Sequence, residues 1–413
     1  MARFGNVFAL SAVSLAVSLS FSSTAAAAPL KIALIETLTG AQAATGKIYE
    51  MSTRYAVNQM NAQGGFNGAP IELIVLDNAG TTSAASDRFK EAQAAGAHIV
   101  VQAASSAIAG QLQEDVRRHN LRNAQAPMMF LNVGAEASDL TGSKCHFYSF
   151  RLTSTATIRA NALLGVMKQA NVLGDRVYAV NMNYALGQEM DAATTANAPK
   201  LGYTVVGKVL HDVARIQDFS PYVARIVDAK PTSVITANWG NDLVLLVKAS
   251  KEAGLKAVFG GMYFDQPGNI AAAGDALMGG YVATTFNNEA DNTSMKEDYK
   301  KATGAYPVSY GAHTVTVLRY LHSALKNAST NGGAVDVKAI ATALESATFK
   351  SEMGDLAIRK EDHQLILPIV VSKISEKVRF PLDNTRMGLE VVAKMPGKDI
   401  IYPVQDSCKM QRP

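Results

Sequence analysis

Two hydrophobic rhythms alternate along the chain. Short, nearly continuous apolar runs such as Ile32-Ala33-Leu34-Ile35 and Ile99-Val100-Val101 give way to stretches in which apolar positions recur every three to four residues, as at Ile108, Leu112 and Val116. The first rhythm fits strands buried on both faces of a parallel sheet, and the second fits helices that cover it. The order predicts strands over 32–35, 71–76, 98–102 and 128–132, with helices around Ile48, Met51 and Tyr55, over 83–95, and from Ile108 to Asn120. Gly64-Gly65 ends the first of these helices. After an irregular segment, 142–153, the rhythm resumes with helices over 158–169, 188–200, 221–228 and 243–253. Strands over 176–181, 203–209, 233–236, 257–259 and 280–286 lie between and after them. Helices over 295–303, 314–327 and 337–346 follow, and 354–380 is strand-rich with a turn at Lys360-Glu361-Asp362.

Repeated strand–helix alternation in two series predicts an α/β fold of two similar lobes, each a parallel sheet flanked by helices. The helical stretch after residue 286 has too few strands for a sheet of its own, so it packs back onto the first lobe. That lobe is then discontinuous, 28–149 plus 285–350, and the second comprises 150–284 plus 351–413 with the C-terminal tail. Crossings near Phe150, Thr284 and Ser351 supply three linkers, which together make a hinge.

The 413 residues, 48% hydrophobic and 18% charged, suffice for about two packed domains. A net charge of +4 is spread over interleaved acids and bases without a Lys/Arg run longer than a pair, which argues against a nucleic-acid partner. At the N-terminus, Arg3 precedes an apolar stretch from Val7 to Phe21 and then Ala25-Ala26-Ala27-Ala28-Pro29. This is the pattern of a secretory signal peptide, residues 1–27, cleaved after Ala27 with Ala25 and Ala27 as the small pair. No cysteine follows to carry a lipid and no later run is long enough to span a bilayer, so a soluble, exported mature protein is expected. Cys145 and Cys408 both fall in the exported part, where an oxidising compartment favours a disulfide over two buried thiols. Closing so long a loop adds roughly 4 kcal/mol in the chain-entropy model.

Catalytic patterns are missing. Gly40 to Lys47 imitates a phosphate loop, but five residues separate Gly40 from Gly46 and Ile48 stands where Ser or Thr must reach magnesium. There is no dinucleotide glycine pattern, no Gly-x-Ser-x-Gly elbow, and no His or Cys pair at zinc-ligand spacing. No nucleophile is paired with a base, so neither an enzyme, a cofactor nor a metal is expected. What remains are loops at the C-terminal ends of strands, where open α/β sheets bind ligands. After the third strand, Ala104-Ser105-Ser106 opens a helix whose free N–H groups and dipole suit a carboxylate, unless the serines are plain N-caps. The fourth strand leads to Ala135-Glu136, where Glu136 either fixes a cationic group or sits solvated on the rim. In the second series the matching loops hold Tyr184, Asn238-Trp239 and Tyr263-Phe264-Asp265. Trp239, the one tryptophan, lies just past a strand end, as a ring covering a ligand or one packed under the hinge. Asp265, before Gln266-Pro267-Gly268, is equally a turn residue.

These features resemble the type I periplasmic solute-binding proteins, in particular the branch of leucine/isoleucine/valine-binding proteins of ABC importers. The likeness rests on Val57-Asn58-Gln59-Met60-Asn61-Ala62-Gln63-Gly64-Gly65-Phe66-Asn67-Gly68, on Asp77-Asn78, on Asp218-Phe219-Ser220-Pro221-Tyr222 and on Ala253-Gly254-Leu255-Lys256, and it runs to about residue 380. The resemblance implies a monomer that closes on a small solute between two lobes and delivers it to an inner-membrane ABC permease. It places the solute's charged head against Ser105, Ser106, Ala135 and Glu136. Three positions depart from the pattern: Tyr263 stands where amino-acid binders carry an acid, Leu186 where a tyrosine is common, and Glu136 where a small hydroxyl is common. The departures point away from an ordinary aliphatic amino acid, while the serines retain a carboxylate-bearing ligand, whether an amino acid or a related or aromatic acid. The rival expectation is a sensory receptor of the same fold that signals to a membrane partner.

Overall fold

The computed structural model describes residues 1–2, 5, 28–40, 42–213, 215–328 and 333–413; the expected signal peptide falls almost wholly outside them. The first lobe begins with β1 (Lys31–Glu36), α1 (Ala43–Ala62), β2 (Glu72–Asp77), α2 (Thr82–Ala94), β3 (Ile99–Gln102), α3 (Ser106–Arg122), β4 (Met129–Asn132) and β5 (Ser149–Arg151). The second comprises α4 (Ala156–Gln169), β6 (Arg176–Met182), α5 (Ala185–Leu201), β7 (Thr204–His211), α6 (Ser220–Asp228), β8 (Ser233–Thr236), α7 (Gly240–Glu252), β9 (Val258–Gly261), α8 (Asn269–Ala273) and β10 (Tyr281–Thr284). The chain then returns through α9 (Met295–Thr303), α10 (Ser309–Leu325), α11 (Val337–Ser346), β11 (Thr348–Ser351), β12 (Gly354–Arg359) and β13 (Gln364–Ile366). It ends in β14 (Ile369–Ser375), β15 (Gly388–Met395) and α12 (Gly397–Ile400).

Two mostly parallel sheets result, as the alternating rhythm predicts. One has the strand order β11-β12-β13-β5-β4-β3-β1-β2 and the other β15-β14-β10-β9-β8-β6-β7. Strands β1, β3 and β4 are buried along nearly their whole length because helices cover both faces, which is why their sequences lack polar alternation. Helix α10 packs against α1, and its Val317, Leu318 and Leu321 share one core with Leu34, Val101 and Leu131.

Two passages lie later than the sequence suggests. Strand β5 pairs with β4, so Phe150 belongs to the first sheet and the chain crosses at residues 152–155. The crossing expected near Ser351 is displaced further: β11 and β12 form a hairpin, β13 pairs with both β12 and β5, and the passage falls at Leu367-Pro368. The cause is apolar alternation, since Leu356, Ile358 and Leu365 are buried in the first lobe's core and would be stranded in solvent otherwise. Cys145 and Cys408 form a disulfide with Cα atoms 5.5 Å apart.

Candidate functional site

The loops after β1, β3 and β4 face those after β6, β8 and β9 across a cleft. Its first-lobe wall is built from the β3–α3 junction. Ser105 is the N-cap, with extended backbone, and its Oγ accepts from Ile108 N–H at 3.4 Å. Ser106 Oγ instead accepts from Ala137 N–H at 3.2 Å, tying the junction to the loop after β4. Asn132 shapes that loop: its Oδ1 accepts from the N–H groups of Gly134 and Ala135 at 3.1 and 2.7 Å, and its Nδ2 donates to Ala135 O at 2.7 Å. Residue 134 must be glycine, because a Cβ there would meet Tyr49 Oη at 2.5 Å. Ala104, Ser105, Ser106, Ala135 and Glu136 all line the cleft.

The opposite wall is aromatic. Tyr184 and Trp239 stand at the N-termini of α5 and α7, and Trp239 Nε1–H donates to Tyr184 Oη at 2.9 Å. Tyr263 and Gln266 lie beside them, and Gln266 Oε1 receives Gly240 N–H at 3.1 Å. Trp239→Phe keeps an aromatic ring, though a smaller one, and removes the indole donor to Tyr184; the expected result is a ligand affinity a few-fold weaker in calorimetry, corresponding to about 1 kcal/mol.

An ion pair between the lobes forms the floor. Arg159 of α4 and Glu136 of the β4 loop are 6% and 5% exposed, with Arg159 Nη1 donating to Glu136 Oε1 at 2.6 Å. The guanidinium also donates to the carbonyls of Ala283 and Met262 and lies 4.9 Å from the centre of the Tyr263 ring. Tyr263 Oη donates to the other Glu136 oxygen at 3.3 Å. Burial opposes the charge on Arg159, yet Glu136 and Tyr263 hold it protonated above its ordinary range. Burial pushes the Tyr263 phenol well above its usual value and so keeps it neutral.

Beneath this pair lies a smaller chamber that shares Thr45, Tyr49, Gly134, Glu136, Tyr263 and Gln266 with the cleft and adds Asp265, Ser309, Tyr310 and His313. Asp265 is 5% exposed and its Oδ2 has no hydrogen-bond partner among the described residues. Burial raises its carboxyl, against a hydrogen bond from Ser309. His313 Nε2 meets Leu152 O at 2.8 Å and is pushed by burial down to about 4, so it is neutral at pH 7.

Of the residues singled out from sequence, the structure gathers Ser105, Ser106, Ala135, Glu136, Tyr184, Trp239 and Tyr263 around one cleft. Asp265 does stand in a turn, but it is buried there and lines the chamber below, not the cleft proper. Asn238 must be removed from the ligand-facing set, for its buried amide is taken up by His211 Nε2 behind Trp239. Glu136 is not solvated, and the cation it fixes is internal. Sequence reasoning missed Tyr49, Arg159, Gln266 and Glu36. Glu36 ends β1 fully buried; its Oε1 accepts from Thr37 N–H at 2.7 Å, and its Oε2 from Ala103 and Ala104 N–H at 2.9 and 3.1 Å, directly behind the serine junction.

Residues 29–378 match the family model described as periplasmic binding protein. The chain belongs to that family. Its relatives are substrate-binding proteins, and this chain too is a solute-binding protein, not an enzyme. It is 47% identical over 401 residues to the Leu/Ile/Val-binding protein homolog 4 of Brucella abortus (strain 2308), covering 96% of both chains. Among solved structures, it is similar to the leucine-, isoleucine-, valine-, threonine-, and alanine-binding protein of Brucella ovis in its closed conformation, with a TM-score of 0.91 and 47% identity over 94% of this chain and 100% of that one. A solute-binding protein from Rhodopseudomonas palustris BisB5, in complex with 3,4-dihydroxy benzoic acid, shares the fold at 20% identity, with a TM-score of 0.74 over 89% of this chain and 98% of that one. No helix among the described residues is long and apolar enough to cross a membrane.

Proposed function

We propose that this binding protein is exported to the periplasm, captures a small carboxylate-bearing solute, an amino acid or a related acid, and delivers it to an ABC permease in the inner membrane. The observation that carries this reading is the cleft itself: the α3 N-terminus with Ser105 and Ser106 on one wall, opposite the coupled rings of Tyr184 and Trp239. Unpaired N–H groups and the helix dipole favour a carboxylate there, and the rings cover the rest of a small solute. Glu136 is already neutralised by Arg159, and the Asp265 Oδ2 in the adjoining chamber, without a hydrogen-bond partner among the described residues, is the candidate to meet an ammonium group. The names of the 47%-identical relatives support an amino acid.

The test is native mass spectrometry of the exported protein, then thermal-shift screening against amino acids, aromatic acids, dicarboxylates and amides after co-purified ligand has been removed. A true ligand at 100 times its dissociation constant stabilises by about 2.7 kcal/mol. A response confined to acids without an amine would overturn the amino-acid part. Ser106→Ala should weaken the true ligand by up to about tenfold, since it removes a hydroxyl and frees Ala137 N–H; unchanged affinity in calorimetry would count against the first-lobe carboxylate site.

A further inference from the structure

The tail beyond β15 leaves the second lobe and is fastened to the first. Helix α12 packs on α4, with Ile400 buried in the second lobe's core and Ile401 and Tyr402 resting against it. Six residues after Tyr402, Cys408 is joined to Cys145, which lies between β4 and β5 of the first sheet. Along the way Gln405 Nε2 donates to Ser138 O at 2.8 Å, and the same side chain presses on Gly142, where a Cβ would lie 2.6 Å from its Oε1. Past the disulfide, Arg412 pairs with Glu345 of α11 at 2.6 Å and donates to Lys360 O at 2.5 Å. The first sheet also touches the start of the segment, where Arg359 of β12 donates to Tyr402 O at 2.5 Å, a contact that opening has to break.

We propose that residues 401–408 are a fourth, covalently closed connection between the lobes that limits how far the hinge opens. The attachment point is placed for this. Ser138 is gripped from one side by Gln405 and from the other by Glu189 of α5, which receives both its N–H and its hydroxyl. Opening at this edge breaks the Ser138–Glu189 contact, whereas the strap remains. Its six steps from Tyr402 to Cys408 reach at most about 20 Å when fully extended, so wider separation pulls Tyr402 and Ile400 from the second lobe's core. A disulfide that only stabilised the first lobe could join two first-lobe elements. This one joins that lobe to a segment anchored in the other, and so acts on the hinge as well as on the unfolded chain.

The proposal rests on the hinged two-lobe reading but needs no identified solute. Small-angle scattering of the solute-free, full-length exported protein is compared with two variants. In one, Cys145→Ser and Cys408→Ser remove the bond; in the other, six Gly/Ser residues inserted between Val404 and Gln405 lengthen the strap by about 20 Å with the disulfide intact. The expected result is a larger radius of gyration for both, with the lengthened strap keeping the parent's melting temperature. If the cysteine-free variant fails to fold, the lengthened strap decides alone. A lengthened-strap protein with intact disulfide and the parent's radius of gyration would overturn the proposal, even if screening fails to find a solute.

Discussion

Arg159→Met is expected to cost about 3–5 kcal/mol at neutral pH, the largest effect of any single change in the site. The substitution leaves the Glu136 carboxyl group at 5% exposure with Tyr263 Oη, at 3.3 Å, as the one remaining side-chain donor among the described residues. It also strips the carbonyls of Ala283 and Met262 of a donor. An uncompensated buried carboxylate is far more costly than the same pair replaced by neutral groups of similar volume. The double variant Arg159→Met/Glu136→Gln should therefore recover most of the loss, and urea denaturation of the three proteins measures it. A loss below about 1 kcal/mol for the single variant, or no recovery in the double one, would show that the pair is not buried in solution. Because Glu136 comes from the first lobe and Arg159 from the second, the single variant should also bind solute more weakly: closure then returns the carboxylate to a dry floor without its partner.

How far such a site is legible in sequence depends on whether a residue's role is local. Strands and helices are local, so β8, α9 and α11 stand where the apolar spacing predicts them. The junction loops also follow, because a strand end is visible and the fold rule places ligands there. Lobe membership of 354–366 was not legible, since a hairpin adds to whichever sheet presents a free edge and the alternation at Leu356 and Ile358 says only that one exists. Strand β15 was missed because its Val391 and Val392 face outward on an edge and give no buried alternation. Arg159 did leave a signal. It shares a helical stripe with Ala162, Leu163 and Val166, all buried, and a cation on an apolar stripe demands a buried partner. Glu36 left the same signal at the end of an apolar strand. Asn238 misled because its position at a strand end is right, while its orientation is decided by His211, which lies 27 residues away in sequence.

Glu36 provides the second large effect, a stability that falls as pH rises. Burial pushes its carboxyl up to about 7, from an ordinary 4.5, against three backbone N–H donors that favour the charged form. The native state therefore holds a proton that the unfolded chain has already released. Below about 4.5 both states are protonated and there is no penalty; between 4.5 and about 7 the penalty grows, and above that it is constant. At 1.36 kcal/mol per pH unit the full penalty is roughly 3 kcal/mol. Other groups titrate in the opposite sense: His146 and His313, both pushed down to about 4 by burial, destabilise the fold as pH falls below 6.5. The informative quantity is thus the stability of the parent minus that of Glu36→Gln, in which these contributions cancel. Glutamine keeps the volume and one acceptor oxygen but does not titrate. The difference should favour the parent progressively more as pH is lowered from 8 to 5, by about 2–3 kcal/mol over that span. A flat difference would mean that the three amides hold Glu36 ionised throughout, leaving a fixed negative charge behind Ala103 and Ala104. For a solute whose carboxylate docks at Ser105 and Ser106, the Glu36 contribution to affinity would then be indifferent to pH over the same range, whereas a titrating Glu36 favours binding at the acid end, where the repelling charge is gone.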